Sequence, residues 1–248
     1  MNRETDVIIS EGIIAKIVSF IVEKSAGKAY FLATDKRKQA CRSLTKLYFC
    51  LQSLDEVTDA FLKTFDDFRS MGRGESLFHA VNNHSRDIEL ASNMFIDLSR
   101  ELEEGLELID PALAKCCHLL YWGKFDFLYY LSTSIETKRV DKKWNVVLKR
   151  PLKEIESVDM EAMYSQTKAE MKGSDRFYWP DSAFSQFSEQ FEDVVVTAED
   201  VETAALIYDM LKRQNMLLKE AKEALRVLIK ESFSVEEILF QTDSHPYR

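Results

Sequence analysis

Glycine and proline are scarce in this chain, with 7 Gly and 4 Pro in 248 residues, against average usage nearer ~7% and ~5%. These residues break helices and make turns, so a chain poor in both runs in long, uninterrupted elements. Cysteine is scarce too. Four occur, at 41, 50, 116 and 117, and two of them are adjacent. That spacing implies no disulfide framework and fits buried free thiols in a reducing compartment. No stretch of about 18 uncharged apolar residues is present, and the segment Met1–Asp6 lacks the basic start of a signal peptide. A cytoplasmic location is therefore expected. Walker loops, Gly-rich dinucleotide turns and G-x-S-x-G elbows are missing. The Cys116-Cys117-His118 cluster lacks C-x2-C spacing, and no Glu-x-x-His pair supports a di-iron bundle. No metal and no cofactor is expected.

The chain is 46% hydrophobic and 30% charged, with 16 Phe and 9 Tyr, which is a globular composition with material for a substantial core. Its net charge of −9 disfavours a general nucleic-acid binder but permits a local basic patch. Apolar residues recur at steps of three and four over most of the length, the period of a helix face. The expected fold is all-α: an elongated antiparallel bundle of about five long helices with a small irregular or β-containing insertion. A single domain is expected, made of a four-helix part over 1–137, a basic and aromatic insertion over 138–180, and C-terminal helices over 181–248 that pack back on the bundle.

The pattern predicts a first helix over 7–25, closed by Gly27. A second runs over 34–70 from an N-cap at Thr34, with the seam Ala40, Leu44, Leu47, Leu51, Leu54, Val57, Phe61, Phe65 and Phe68. A third spans 76–110, and Asp110-Pro111 turns the chain into a fourth over 112–133, apolar on almost every side. A short strand is expected near 144–149, closed by Pro151. Helical pieces follow around 159–171 and 182–192, separated by an extended stretch at 177–180. The last long helix is predicted to open on a Thr197/Asp200 capping box and to end near Glu231. Ser234 and Glu237 form a second box for a short closing helix. Helices of more than 30 residues with a seam near period 3.5 imply coiled-coil-like packing.

Four features bear on function. The run Arg73-Gly-Glu-Ser-Leu-Phe-His79 places an arginine and a histidine one to two turns apart at a helix start. It resembles the R-x(4–6)-H motif of HEPN-family ribonucleases, although Gly74 stands where a polar residue often follows the arginine. The resemblance covers those seven residues and implies a metal-independent ribonuclease or toxin. In that role His79 moves a proton and Arg73 binds phosphorane charge across a dimer. The bland alternative is a loop arginine and a boundary histidine.

Lys38, Arg42 and Lys46 repeat at four-residue steps on the second helix, beside Lys36 and Arg37. Like charges at this spacing destabilise a helix by roughly 0.2–0.5 kcal/mol per pair. Glu101, Glu103, Glu104 and Glu107 could compensate from the third helix, or an external anion could. Residues 138–153 carry seven basic residues against the single Asp141, a local charge of +6. Lys142, Lys143, Trp144, Lys149 and Arg150 there suit an anionic partner, and they equally suit an edge strand protected by lysines. The apolar N-terminal helix is similar in outline to the first helix of HeLo-type cell-death effectors, which implies membrane insertion. It serves as well as an ordinary core helix.

The expected function is a non-enzymatic interaction protein that binds a protein, or a second copy of itself, through helix faces and the basic insertion. RNA or an anionic membrane is the other class of partner. The HEPN-like ribonuclease and the membrane-acting effector are the alternatives.

Overall fold

The computed structural model describes residues 13–29, 32–71, 84, 86–87, 90–91, 93–94, 98, 101–117, 136–140, 143–151, 160–173, 191–197 and 201–242. The fold is all-α in character, with one small sheet. In chain order the elements are α1 (Ile13–Ser25), α2 (Thr34–Met71), α3 (Pro111–Cys117), β1 (Glu136–Val140), β2 (Lys143–Pro151), α4 (Met160–Gly173), β3 (Phe191–Thr197), α5 (Val201–Ser232) and α6 (Val235–Thr242). The described residues of 84–107 are also helical. Among the described residues no helix is long and apolar enough to cross a membrane.

The caps follow from local chemistry. Gly27 ends α1 in the left-handed region at φ 74°, which only glycine adopts without cost. Arg37 N donates to the Ala33 carbonyl at 2.8 Å, so Ala33 caps α2 and Thr34 is its first helical residue. Asp110 Oδ1 accepts from Ala112 N at 3.0 Å and Leu113 N at 3.4 Å. Pro111, which has no N–H to satisfy, therefore opens α3 at the first helical position. The predicted second capping box forms: Ser234 N donates to Glu237 Oε2 at 2.8 Å, and Glu237 N donates to Ser234 Oγ at 3.2 Å.

The core lies where α5 packs against both α1 and α2, with α6 closing on α2 and α3 touching α1 and α4. Helix α2 runs unbroken through Ser53 for 38 residues and buries Ala40, Leu44, Leu47, Leu51, Leu54 and Phe61. Val57 is only half-buried, and Thr58 takes its place inside. Thr58 Oγ1 donates to the Leu54 carbonyl at 2.6 Å, which satisfies the buried hydroxyl. Facing it, α5 buries Tyr208, Leu211, Leu218, Ala221, Leu225 and Leu228. Ile14, Ile17, Val18, Phe20 and Ile21 of α1 are also buried, so the apolar face of α1 over 13–25 is covered within the fold. Each such aliphatic or aromatic side chain contributes about 1.5–3 kcal/mol on burial.

Several boundaries differ from the sequence expectation. The strand expected at 144–149 is β2, but it is the middle strand of an antiparallel sheet in the order β1-β2-β3. Residues 191–192, predicted helical, are extended in β3, and so is Thr197, the predicted N-cap of the last long helix. That helix begins at Val201, so Thr197 does not cap it. The sheet captured both because Val194, Val195 and Val196 sit at register positions opposite β2, and β-branched residues favour a pleated surface. Two described helices exceed 30 residues, α2 and α5. Residues 7–12, the remainder of the third helix, 118–133, 177–180 and 182–190 lie outside the described residues.

Candidate functional site

Lys38, Arg42, Lys46 and Phe49 lie at steps of four, four and three, so they share one stripe of α2. Lys38 and Arg42 are exposed. Lys46 is ion-paired to Glu101, so the internal partner holds for that lysine and it is not a free cation. Of the other acids expected to face the stripe, Glu103 bonds instead to Lys115 at 2.7 Å. Among the described residues no carboxylate pairs with Lys38 or Arg42. Close packing holds the 84–107 segment beside this stripe. Ser43 Oγ donates to the Glu101 carbonyl at 3.1 Å, and the Phe61 and His84 rings meet edge to face at 6.2 Å.

Glu101, Met94 and Leu90 fall seven and eleven residues apart along that segment, which puts them on one side of it. The Lys46–Glu101 pair thus marks the side where Phe49, 49% exposed, and Met94 and Leu90, 38% and 54% exposed, stand out from the surface. Phe49 shares the α2 stripe of the two cations, and Leu90 and Met94 are exposed farther along the antiparallel segment. The basic stripe was legible from its spacing. The apolar neighbours were not, because Phe49, Leu90 and Met94 fall between seam positions and only the antiparallel pairing groups them.

Arg37 does not belong to the free basic surface. Its Nε donates to Glu237 Oε1 at 2.7 Å, one terminal nitrogen donates to the Ser232 carbonyl at 2.5 Å, and the guanidinium lies 5.4 Å from the Phe233 ring centroid. The arginine fastens the α5–α6 corner onto α2. A carboxylate stripe on α2 faces α5 in the same way. Asp55 pairs with Lys222, Asp59 accepts from Asn215 at 2.6 Å and from Lys219 at 2.8 Å, and Asp66 accepts from the Tyr208 hydroxyl at 3.0 Å. These groups flank the apolar seam and fix its antiparallel register.

A third cluster has Asp110 at its centre. Asp110 Oδ2 accepts from Lys28 Nζ at 2.6 Å and from the buried Tyr164 hydroxyl at 2.5 Å. The ammonium groups of Lys24, Lys28 and Lys168 lie 5.5, 5.9 and 5.2 Å from the Tyr164 ring centroid, within cation–π range. Burial pushes the Asp110 carboxyl up, but the hydrogen bonds from Lys28 and Tyr164 outweigh it and hold the group below its ordinary value. The cluster ties three chain segments together, and every polar group in it has a partner inside the fold.

Of the insertion, the structure describes the backbone. Trp144 stands opposite Arg139 and Lys143 opposite Val140 in the β1–β2 register. Asp193 stands opposite Lys149 and Glu192 opposite Arg150 in the β2–β3 register. Directly opposed cross-strand residues share a face of the sheet. Two of the basic positions therefore have acidic positions of the same chain opposite them, supplied by a strand some 40 residues later that the sequence pattern did not disclose. Arg73, His79 and Lys142 lie outside the described residues. Among the described residues no group of three His, Cys, Asp or Glu is placed to hold a metal ion.

Cys41 and Cys50 are buried free thiols. Burial pushes them up to about 11 and about 12, so at neutral pH their thiolate fraction falls on the order of 100-fold or more below that of a free cysteine of pKa ~8.5. In native protein at pH 7.5, both should stay unlabelled by iodoacetamide over a time that fully alkylates them in urea. Peptide mapping by mass spectrometry reads this directly, and rapid native labelling of either would contradict the burial.

No protein-family model, curated protein or solved structure matches the chain.

Proposed function

We propose that the chain is a protein-interaction module whose basic and apolar α2 face binds an acidic amphipathic segment of a partner protein. The carrying observation is the exposure of Phe49 on the same α2 stripe as Lys38 and Arg42, two cations with no carboxylate partner among the described residues, with Leu90 and Met94 exposed farther along the neighbouring segment. A few aromatic and arginine side chains dominate binding energy at protein interfaces, and an amphipathic helix is read through apolar anchors at helical spacing.

The test is fluorescence anisotropy with an 18-residue synthetic helix carrying Leu at i, i+3, i+7 and Glu elsewhere. The Phe49→Ser/Arg42→Glu double variant is expected to bind it at least tenfold more weakly, which is about 1.4 kcal/mol. Raising salt should weaken the wild-type complex. Equal binding by wild type and variant would refute the reading. So would binding of single-stranded RNA or anionic vesicles, but not of the peptide, through Arg42.

A further inference from the structure

A groove of about 350 Å³ opens between α1, α5 and the start of α4. It shares no helix with the α2 face. Its floor is apolar, made by Phe20, Met160 and Leu217, and its rim carries Glu23, Glu161 and Glu220. Lys24 lies between two of these carboxylates, 3.1 Å from Glu23 and 2.6 Å from Glu161. Glu220 has no ion-pair partner among the described residues. Three carboxylates thus stand against Lys16, which also lines the groove, and the shared Lys24, so the rim keeps a net negative charge.

The groove is partly open to solvent, and Glu220 on its rim also belongs to the outer stripe of α5. Met216, Glu220, Glu223 and Val227 follow at steps of four, three and four, so they share that stripe. Met216 is 55% exposed and Val227 43%. A pocket closed around a small molecule buries most of its ligand. A partly open groove bordered by a helical stripe instead fits the apolar face of another helix. Methionine on the floor, Met160, and on the adjoining stripe, Met216, suits this, because its unbranched side chain adapts to the shape of an incoming apolar group.

We infer that this groove docks a basic amphipathic helix of a partner protein. The occupant's apolar residues cover Phe20, Met160, Leu217 and Met216, and its lysines or arginines reach Glu220 and Glu161. The sign of its charge is opposite to that of the segment proposed for the α2 face, so one molecule can join two different partners.

The experiment uses the full chain and a labelled 18-residue helix with Leu at i, i+3, i+7 and Lys elsewhere, with a Lys→Glu peptide as control. The lysine peptide is expected to bind at least tenfold more tightly than the control. Glu220→Lys should weaken it at least fivefold. Ser19→Trp, placed at an exposed rim position, should block it sterically without touching the core. Arg42→Glu should leave it unchanged, which separates this groove from the α2 face. Equal binding of both peptides, or binding unchanged by Glu220→Lys and Ser19→Trp, would overturn the proposal. It would also fall if 2-phenylethylammonium bound at this rim while the peptide did not, or if the chain alone formed Glu220-dependent oligomers in sedimentation. Those outcomes would make the occupant a small amine or a second copy.

Discussion

Gly105→Ala lowers stability by about 1–2 kcal/mol net, although alanine is the better helix former by about 0.8–1.0 kcal/mol. The reason is a close helix crossing. A Cβ at position 105 would meet the Ser43 hydroxyl in hard overlap and lie 2.5 Å from Ser43 Cβ, with the Gln39 carbonyl oxygen 3.6 Å away. Ser43 is buried, and its Oγ is committed to the Glu101 carbonyl, so its side chain has nowhere to swing. Its Cβ is fixed to the α2 backbone, so the two helices must part by several tenths of an ångström. Parting them loosens contacts at Leu47, Leu98 and Leu102, all of which are buried. Overpacking of this kind costs typically 1–3 kcal/mol, which exceeds the propensity gain.

Urea denaturation gives the number. The midpoint falls while the slope holds if the native state is strained but its compactness is unchanged. Ser43→Gly removes the opposing atoms and should recover part of the loss in the double variant, with a coupling energy of at least about 1 kcal/mol between the two sites. A Gly105→Ala protein as stable as wild type would show that the crossing is wider than described.

Helix existence was legible wherever the sequence combined a long 3.5 to 3.6 period with a local stop. Thr34–Met71, Met160–Gly173 and the Ser234/Glu237 box were found within a residue or two. Strands β1 and β3 were not found. Glu136–Val140 alternates no apolar pattern, and Phe191–Thr197 has a valine run that a buried helix could carry equally well. β1 pairs with β2 across only residues 141–142 but carries no strand pattern of its own, whereas β3 pairs with β2 across some 40 residues, so no window of neighbouring residues contains that pairing. Thr197 was misplaced for the same reason, because a strand claimed the residue that capping chemistry would have used.

Charge carried still less positional information. Spacing grouped Lys38, Arg42 and Lys46, but only tertiary packing revealed that Glu101 neutralises the third and leaves the first two without a described partner. The groove between α1, α4 and α5 had no sequence signal at all. Its floor residues come from three helices, and in each they look like ordinary core.

Asp110 is where the loss of a single functional group reaches furthest. Its Oδ1 caps α3 through Ala112 and Leu113, and its Oδ2 holds Lys28 and the Tyr164 hydroxyl. Asp110→Ala removes a cap worth about 1 kcal/mol and leaves the buried Tyr164 hydroxyl without its acceptor, at about 1–3 kcal/mol. The half-exposed Lys28 adds little, because water replaces its partner. The expected total is about 3 kcal/mol, with the loosening read as faster hydrogen exchange in α3 and α4. Asp110→Asn keeps an oxygen for the cap but turns its amide nitrogen toward Lys28 and the Tyr164 hydroxyl, so it spares only the cap and should lose about 2 kcal/mol.

Both variants also change the pH profile. The Asp110 carboxyl is lowered in the folded state, so its contribution is fully present above the unfolded value of about 3.9 and is lost as pH falls through the folded value. Burial pulls Lys28 down, but its hydrogen bonds to Asp110 and Tyr164 outweigh this and raise it. Its contribution is therefore present below the ordinary lysine value and is lost as pH rises through the folded one. Wild-type stability from this cluster is level between those limits. In Asp110→Asn both limbs should flatten together, because one carboxylate sustains both shifts. A variant that lost stability while keeping the wild-type acid and alkaline limbs would show that the cap alone matters and that the Lys28–Asp110–Tyr164 contact contributes nothing.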